Sequence, residues 1–216
     1  MNISASLLAA DFSRLKEEIN KFSKLVDRIH IDAMDGDFVP NIAFGPTSIS
    51  WIRRSTNLPL EIHLYFKNPE KYLVKYLEAG VDIILIHIEA IYDFHKVSKL
   101  ISKYNTSFGI AINPNTSLSK INSIISSVDY LLLLLVNAGF GGQKILPGSI
   151  KRVEKVNLLR EKENLNFEII ADGGINSSNF KQILKSGADT LVMGSAIFRN
   201  PNAKFFLKSI RKEIRS

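Results

Sequence analysis

The stretch HIDAMDGDFVPN (residues 30–41) places a histidine and aspartates among apolar residues that are typical of a buried β-strand. The strand itself reads DRIHIDAM (27–34) and is one of eight short apolar runs along the chain. The other seven are ISASLL (3–8), LEIHLYF (60–66), DIILIHI (82–88), FGIAIN (108–113), DYLLLLLV (129–136), FEIIAD (167–172) and DTLVMGS (189–195). Strands that are apolar almost throughout are buried on both faces, which is typical of parallel strands covered by helices.

Amphipathic, helix-like segments lie between these runs, which gives the chain a repeating β-then-α order. They include residues 13–26, 69–80, 117–127, 149–163 and 176–187, and Gly80 and Gly187 fall where a helix would stop. Eight such units predict a (β/α)8 TIM barrel of the α/β class, as one domain over residues 1–216. The alternative, an open doubly wound sheet, would need a glycine-rich turn after the first strand, but the turn here is LLAADF (7–12).

Composition narrows the functional classes. The 216 residues contain no cysteine, which excludes disulfides and thiolate metal sites, and the longest apolar run, YLLLLLV (130–136), is too short to cross a membrane. The opening MNISASLLAADF lacks the pattern of a signal peptide, so we expect a cytoplasmic protein without a membrane partner. A net charge of +7 favours anionic partners. The basic residues of the chain are scattered over the helices and have no aromatic residues interleaved with them, which is evidence against a nucleic-acid partner.

Several ionisable side chains fall on the same side of neighbouring strands. His30 and Asp32 are two apart on one strand, Glu61 and His63 are two apart on the next, and Asp172 ends the seventh. Because active sites of such barrels lie at the C-terminal ends of the strands, we expect the two histidines and two aspartates to converge there. This donor set suits one divalent ion, zinc, iron, manganese or cobalt, although any single histidine could equally be a hydrogen-bonded core residue.

A similar pair, His87 and Glu89, follows on the fourth strand in IHIEA (86–90). Either it supports the metal ligands from behind, or it only packs in the core. The sequence leaves both interpretations open.

Glycine-rich segments follow three of the later strands: NAGFGGQ (137–143), ADGGI (171–175) and MGSAIF (193–198). Each offers backbone N–H groups that no side chain obstructs, which phosphate binding requires. Glycines also make tight turns without any ligand. In a barrel, however, the loops after strands seven and eight commonly hold a phosphate, so the sequence predicts a phosphorylated substrate.

Across essentially its whole length the chain resembles the ribulose-phosphate 3-epimerase family, which interconverts ribulose 5-phosphate and xylulose 5-phosphate. The matching motifs occur in the family's order and spacing: SLLAADF (6–12), HIDAMDGDFVPN (30–41), EIHL (61–64), NPNT (113–116), VNAGFGGQ (136–143), ADGGI (171–175) and GADTLVMGSAIF (187–198). The resemblance implies a metal site formed by His30, Asp32, His63 and Asp172, with Asp32 and Asp172 as the proton-transferring pair. It also implies substrate contacts at Ser6, His63, Gly139, Phe140, Gly141, Gly142, Gly173, Gly174, Gly194 and Ser195.

The chemistry explains these residue types. Epimerisation at C3 of a 2-ketose removes the proton next to the carbonyl and returns one to the opposite face, so one base is needed on each face. A metal would stabilise the enediolate between the two steps, and its charge would make a buried His30 and Asp32 tolerable. Asp35 precedes Gly36 and is expected to shape the loop. We further expect a phosphorylated ketose as substrate and a homo-oligomer as the assembly.

Four positions depart from the family pattern. Asp37 stands where the family has a histidine, Ala138 where it has a proline, and Tyr65 and Leu134 replace methionines, of which Met34 alone remains. These changes leave open a paralogous epimerase of another ketose phosphate, such as allulose 6-phosphate. Tyr65 should point into the mouth of the barrel beside His63. We expect its ring to pack aside with the hydroxyl in water, which would leave ribulose 5-phosphate as substrate.

Two alternatives of other kinds are disfavoured. A non-catalytic phosphate-binding barrel predicts a missing base or ligand, but all four residues are present. A barrel of the indole-glycerol-phosphate or thiamin-phosphate type would share the phosphate loops but not HIDAMDG together with EIHL.

Overall fold

Eight parallel strands form a closed ring in a computed structural model, which describes residues 1–215. They are β1 (Asn2–Ser6), β2 (Arg28–Asp35), β3 (Leu60–Tyr65), β4 (Ile83–His87), β5 (Ser107–Ile112), β6 (Tyr130–Leu134), β7 (Glu168–Asp172) and β8 (Thr190–Met193). Each strand pairs with the next one in the chain, and β1 pairs with both β2 and β8, which closes the sheet. The predicted (β/α)8 barrel is confirmed.

Helices cover the outside of this ring. They are α1 (Leu15–Phe22), α2 (Pro46–Arg53), α3 (Leu73–Glu78), α4 (Phe94–Ile101), α5 (Ser149–Lys162), α6 (Phe180–Lys185), α7 (Ser195–Phe198) and α8 (Ala203–Arg215). Helix α4 shows why they dock: Asp93 caps its first turn by accepting from the Lys96 N–H, and Val97 and Ile101 are buried against the barrel. Burying each such side chain stabilises the fold by about 1.5–3 kcal/mol. No helix within residues 1–215 has the length and hydropathy needed to cross a membrane.

The strand alternation separates two apolar cores. On β2, Ile29, Ile31 and Ala33 pack with helix residues in the outer core, between barrel and helices. His30, Asp32 and Met34 therefore face the barrel interior, where the smaller inner core contains strand residues such as Leu85, Leu132 and Ile170. The register places Ser6 beside His30, Asp32 beside His63 and Met34 beside Tyr65. The sequence spacing is thus converted into one inward-facing set of side chains.

The segment 117–127 was expected to be a helix, and this expectation is wrong. It forms two short 3₁₀ helices, Leu118–Ile121 and Ile125–Ser127. The Ser117 side chain accepts from the Ser119 N–H and bonds the Ser119 hydroxyl, so local serine contacts compete with regular helical hydrogen bonds. A two-residue antiparallel strand, Ile42–Ala43, also follows β2 and was not predicted.

The N-terminal end of the barrel is closed by a charged network, which we call the floor: Ser4, Arg28, Glu61, Glu168 and Thr190. Arg28 bonds Glu168 through both terminal nitrogens, at 2.9 and 2.7 Å, and Glu61 at 3.2 Å. Ser4 donates to Glu61 at 3.0 Å, and Thr190 donates to Glu168. Burial disfavours the charge on Arg28, but its two carboxylate partners outweigh that effect and raise its pKa. Every charge of the floor has a partner.

Candidate metal and substrate site

At the opposite end of the barrel, the four predicted metal ligands meet. His30, Asp32, His63 and Asp172, which we call the ligand cluster, each offer one donor atom, and these atoms lie within 4.8 Å of one another. All four side chains are buried. The neighbouring strands β2 and β3 supply three of them, and Asp172 comes from β7 on another side of the ring. Only ring closure can therefore assemble the cluster.

The geometry of His63 shows that the cluster fits a cation. Its Nδ1 is buried without a hydrogen-bond partner and lies 3.5 Å from an Asp172 oxygen and 3.8 Å from an Asp32 oxygen. A lone pair aimed at two carboxylates is unfavourable unless a positive charge lies between them. Two imidazole nitrogens and two carboxylates are a donor set that zinc, iron, manganese and cobalt accept. These residues could hold one divalent ion.

The charges of the cluster shift several pKa values. Burial raises the pKa of Asp172 to about 7; the positive charge of His30 opposes this, and the charges of Asp32 and Glu61 reinforce it. For His30, burial favours the neutral form, but Asp32, Glu61 and Asp172 outweigh it and raise the pKa well above its ordinary value. Burial, with His87 and His30 nearby, lowers the pKa of His63 well below the ordinary value. The two histidines are thus in opposite electrostatic environments.

Each histidine is held from behind through its second ring nitrogen. His30 Nδ1 contacts a Glu61 oxygen at 2.6 Å, which links the ligand cluster to the floor. His63 Nε2 contacts His87 Nε2 at 3.0 Å. In front of the cluster, the Ser6 hydroxyl donates to Asp32 Oδ2 at 2.8 Å. The sequence left open whether His87 supports a ligand from behind or only packs in the core, and the structure places it in contact with the ligand His63.

A pocket opens above the ligand cluster. All predicted substrate contacts except His63 line it, and so do the two predicted bases Asp32 and Asp172: the contacts are Ser6, Gly139, Phe140, Gly141, Gly142, Gly173, Gly174, Gly194 and Ser195. His63 does not line it, because the imidazole lies beneath the pocket and is completely buried. Gly173 has a φ of +103°, and a Cβ there would lie 2.4 Å from Val136. Glycine is therefore required at that position by the backbone as well as by any ligand.

Sequence comparison decides the family. A profile described as the ribulose-phosphate 3 epimerase family matches residues 2–198. The chain belongs to the ribulose-phosphate 3-epimerase family. It is 40% identical over 197 residues to the ribulose-phosphate 3-epimerase of Aquifex aeolicus (strain VF5), covering 91% of this chain and 89% of that protein. It is 36% identical over 213 residues to the enzyme of the same name from Bacillus subtilis (strain 168), covering 98% of each. Membership makes the protein a carbohydrate epimerase, one class of isomerase.

Solved structures agree on the fold alone. A 3-hexulose-6-phosphate synthase superposes with a TM-score of 0.71 at 16% identity, over 98% of this chain and 99% of that one. A 3-keto-L-gulonate-6-phosphate decarboxylase from Vibrio cholerae superposes with a TM-score of 0.74, also at 16% identity, over 99% and 97%. The barrel is thus shared more widely than the epimerase residues.

Tyr65, a departure from the family pattern, forms part of the pocket wall. Its ring centroid lies 4.0 Å from that of His63 and 4.9 Å from that of His87, so the ring packs aside as expected. The expectation that its hydroxyl lies in water is wrong, because the residue is only 3% exposed. Burial, the charges of Asp32 and Asp172, and a hydrogen bond with Asp32 raise the Tyr65 pKa well above its ordinary value. The hydroxyl therefore faces a member of the ligand cluster.

The loops around the pocket are held by side chains that the sequence analysis did not single out. Asn41 donates to the Gly139 carbonyl at 2.9 Å, and Gln143 donates to the Asn137 and Phe140 carbonyls at 2.7 Å each. Asn41 and Gln143 belong to the family motifs VPN and GGQ, and this was the signal in the sequence that could have identified them.

Asp35 has the loop-shaping role that was predicted for it. It accepts from the backbone N–H groups of Asp37, Phe38 and Lys67. The departure Asp37 pairs with Lys67 at the surface, at 3.2 Å, and does not line the pocket. This departure from the family therefore leaves the pocket wall unchanged.

Proposed function

We propose that this chain, acting as one barrel domain, is a metal-dependent 3-epimerase that interconverts D-ribulose 5-phosphate and D-xylulose 5-phosphate. The observation that carries the proposal is that Asp32 and Asp172 both belong to the ligand cluster and both line the pocket, from strands β2 and β7. The names of the similar proteins supply the substrate. The homo-oligomer stays a prediction.

Asp32 and Asp172 would act as the two bases, one on each face of C3. One carboxylate takes the C3 proton, and the other delivers a proton to the opposite face, which inverts the stereocentre. The Ser6 hydroxyl, bonded to Asp32 at 2.8 Å, orients that carboxylate and lies at the pocket surface for contact with substrate.

One divalent ion, zinc, iron, manganese or cobalt, would be held by His30, Asp32, His63 and Asp172. When bound, it supplies Lewis-acid stabilisation of the negative charge that develops on the substrate oxygens. The side chains have a separate task, which is to fix the two carboxylates on either side of the reacting carbon.

The substrate phosphate would lie against the loops after β6, β7 and β8. Backbone N–H groups of Gly142, Gly173, Gly174, Gly194 and Ser195 would bind it, because these loops border the same pocket as the carboxylates. Gly139, Phe140 and Gly141 belong to the loop that covers the pocket rim. With the phosphate bound there, the sugar would extend toward the ligand cluster.

A second candidate substrate is a hexulose phosphate such as allulose 6-phosphate. It is favoured by one observation, that a buried tyrosine with its hydroxyl toward Asp32 stands where the family has methionine. Comparing kcat/KM for ribulose 5-phosphate and allulose 6-phosphate, in wild type and Tyr65→Met, decides between the two. Preference for the hexulose phosphate in wild type, reversed by methionine, would overturn the pentulose assignment.

The test of the function is direct conversion. Protein loaded separately with Zn²⁺, Fe²⁺, Mn²⁺ or Co²⁺ is incubated with ribulose 5-phosphate, and xylulose 5-phosphate is measured. Exhaustive chelation, verified by elemental analysis, should abolish turnover, and added metal should restore it. Full activity of verified metal-free protein would overturn the metal assignment. Absence of product with each of the four ions would overturn the assignment of ribulose 5-phosphate as substrate.

Matched histidine variants locate the metal. His63→Gln should lose the bound ion. The control His95→Gln changes an exposed histidine of α4 and should retain it. Equal metal content in both variants would contradict the assignment of His63.

A further inference from the structure

Behind the ligand cluster, a chain of three side chains leads away from His63. His63 Nε2 contacts His87 Nε2 at 3.0 Å, and His87 Nδ1 contacts Glu89 Oε2 at 3.2 Å. His63 and His87 are completely buried, and the Glu89 side chain is 17% exposed. Burial raises the pKa of Glu89, but hydrogen bonds from His87, Thr116 and Asn113 outweigh burial and lower the pKa to about 2. Glu89 is therefore ionised at neutral pH. None of these contacts uses the substrate pocket.

The partners determine where the protons of this chain lie. An ionised carboxylate can only accept, so His87 must donate to Glu89 from Nδ1. A neutral imidazole carries one N–H, so His87 Nε2 is an acceptor, and the N–H between the two rings belongs to His63 Nε2. His63 Nδ1 is then left with its lone pair. It is the buried atom without a hydrogen-bond partner, directed at Asp32 and Asp172.

The segment NPNT (113–116) holds Glu89 in this orientation. The Asn113 N–H donates to Glu89 Oε1 at 3.0 Å, and the Thr116 hydroxyl donates to the same oxygen. Arg152 in turn donates to the carbonyls of Asn113 and Thr116. Glu89 Oε1 is thus occupied by donors, one of which is a backbone N–H that cannot reverse. Oε2 is left to face His87.

We infer that His87 and Glu89 are positioning residues that select the tautomer of His63, so that its Nδ1 lone pair is presented to a metal ion. This inference rests on the metal site of the proposed function. It also assigns a task to the pair His87 and Glu89 and to the family motif NPNT, all outside the pocket: His87 contacts the ligand His63, Glu89 orients His87, and NPNT orients Glu89. His30 has a shorter arrangement, in which Glu61 accepts directly from its Nδ1.

Replacing Glu89 by glutamine should reverse the relay without changing its shape. The fixed donor at Asn113 keeps the amide oxygen on the Oε1 side, so the amide NH₂ faces His87 Nδ1 and donates to it. His87 then carries its proton on Nε2 and donates to His63 Nε2, and the His63 proton moves to Nδ1. A proton would occupy the lone pair that the ion needs.

The tautomers are read directly in metal-free protein labelled with ¹⁵N-histidine, by two-bond ¹H–¹⁵N correlation. In wild type we expect His63 protonated at Nε2 and His87 at Nδ1, and in Glu89→Gln the opposite pattern at both. Zn²⁺ affinity, measured by competition with a chromophoric chelator, should fall about 10- to 100-fold in Glu89→Gln. The control Glu70→Gln makes the same chemical change at a surface pair with Lys96 and should leave both readouts as in wild type.

A second variant keeps the inference testable if Glu89→Gln folds poorly. His87→Phe preserves an aromatic ring beside His63 and Tyr65 but removes the acceptor. Its loss of Zn²⁺ affinity should be no larger than that of Glu89→Gln, because phenylalanine removes the preference for one His63 tautomer whereas glutamine reverses it. The double variant should match His87→Phe alone, because Glu89 acts on His63 only through His87. Additive losses would overturn the inference, as would wild-type tautomers in Glu89→Gln.

The two proposals fail in different ways. If wild type binds none of Zn²⁺, Fe²⁺, Mn²⁺ and Co²⁺, the metal site of the proposed function fails. If wild type binds Zn²⁺ and Glu89→Gln binds it equally well, the relay alone is wrong.

Discussion

The floor and the ligand cluster occupy opposite ends of one barrel interior and are built from the same kinds of residue. In the floor, Arg28 lies between Glu61 and Glu168, and hydroxyl groups satisfy the remaining oxygens. In the ligand cluster, two carboxylates lie together, and His63 Nδ1 has no partner. Burial alone therefore does not mark a site. The difference is that the floor balances its charges within the protein, whereas the cluster needs a cation from outside.

The largest expected effect comes from breaking the floor. Arg28→Met leaves the partly buried Glu168 without its counter-charge and leaves the completely buried Glu61 with His30 as its remaining cationic partner. We expect a loss of about 3–5 kcal/mol in the free energy of unfolding, measured by urea denaturation. The control Arg211→Met removes a more exposed pair with Asp27 and should cost less than about 1 kcal/mol. Equal losses would show that the floor does not depend on its buried charges.

The corresponding change in the ligand cluster should affect catalysis instead. Asp172→Asn removes one of two adjacent carboxylates, so turnover should fall at least about 10²-fold, while the metal-free variant should be at least as stable as wild type at pH 7. Solvent-deuterium exchange at C3 should survive in one epimer and vanish in the other, because one face still has its base. Near-wild-type epimerisation by both Asp32→Asn and Asp172→Asn would refute the two-base scheme.

A smaller effect is expected at the pocket wall. Tyr65→Phe removes a hydroxyl that faces Asp32, and we expect kcat/KM for ribulose 5-phosphate to fall about tenfold, the value of one hydrogen bond to a charged group. The control Tyr76→Phe removes a hydroxyl bonded to the Phe44 carbonyl at 2.9 Å, outside the pocket. It should change stability and leave kcat/KM unaltered. An unchanged kcat/KM in Tyr65→Phe would show that the hydroxyl takes no part in the reaction.

A pH dependence of stability is also expected in metal-free protein. The pKa of Asp172 rises from 3.8 to about 7 on folding, so its share of stability is complete below pH 3.8 and is lost as pH rises to about 7. Asp172→Asn has no ionisable group at this position and lacks this loss. The Tm of the variant minus the Tm of wild type should therefore become larger as the pH rises from 4 to 7. A constant Tm difference over this window, measured by calorimetry, would contradict the shift.

The sequence was sufficient to predict the barrel and the ligand cluster because both follow from one periodicity. Parallel strands that are buried on both faces are continuous apolar runs, and residues two apart share a side. That rule placed His30 and Asp32, and separately His63, on the inner face, where the structure has them. Family motifs then joined Asp172 to them. Local spacing and the eightfold order were enough for this part.

The remaining features depend on packing between distant elements. Spacing predicted the direction of Tyr65, but not its depth, which depends on Phe38 and His87 packing around its ring. The sequence offered ligand support by His87 as one of two interpretations but could not decide between them, because the contact with His63 depends on the stagger of two neighbouring strands. The pattern of residues 117–127 indicated a helix, and local serine hydrogen bonds overrode it.

Closure of the ring through β1 has a consequence for folding kinetics. Asn2 on β1 pairs with Thr190 on β8, near the other end of the chain, and we call this junction of β1 and β8 the seam. Forming the seam has the highest loop-closure entropy cost of any strand pairing in the barrel, so it should form late. Until then the sheet has two open edges, which favour association with other chains. Because β2, β3 and β7 meet at one mouth only in the closed ring, metal uptake during refolding would report the sealing of the seam rather than the formation of any single strand.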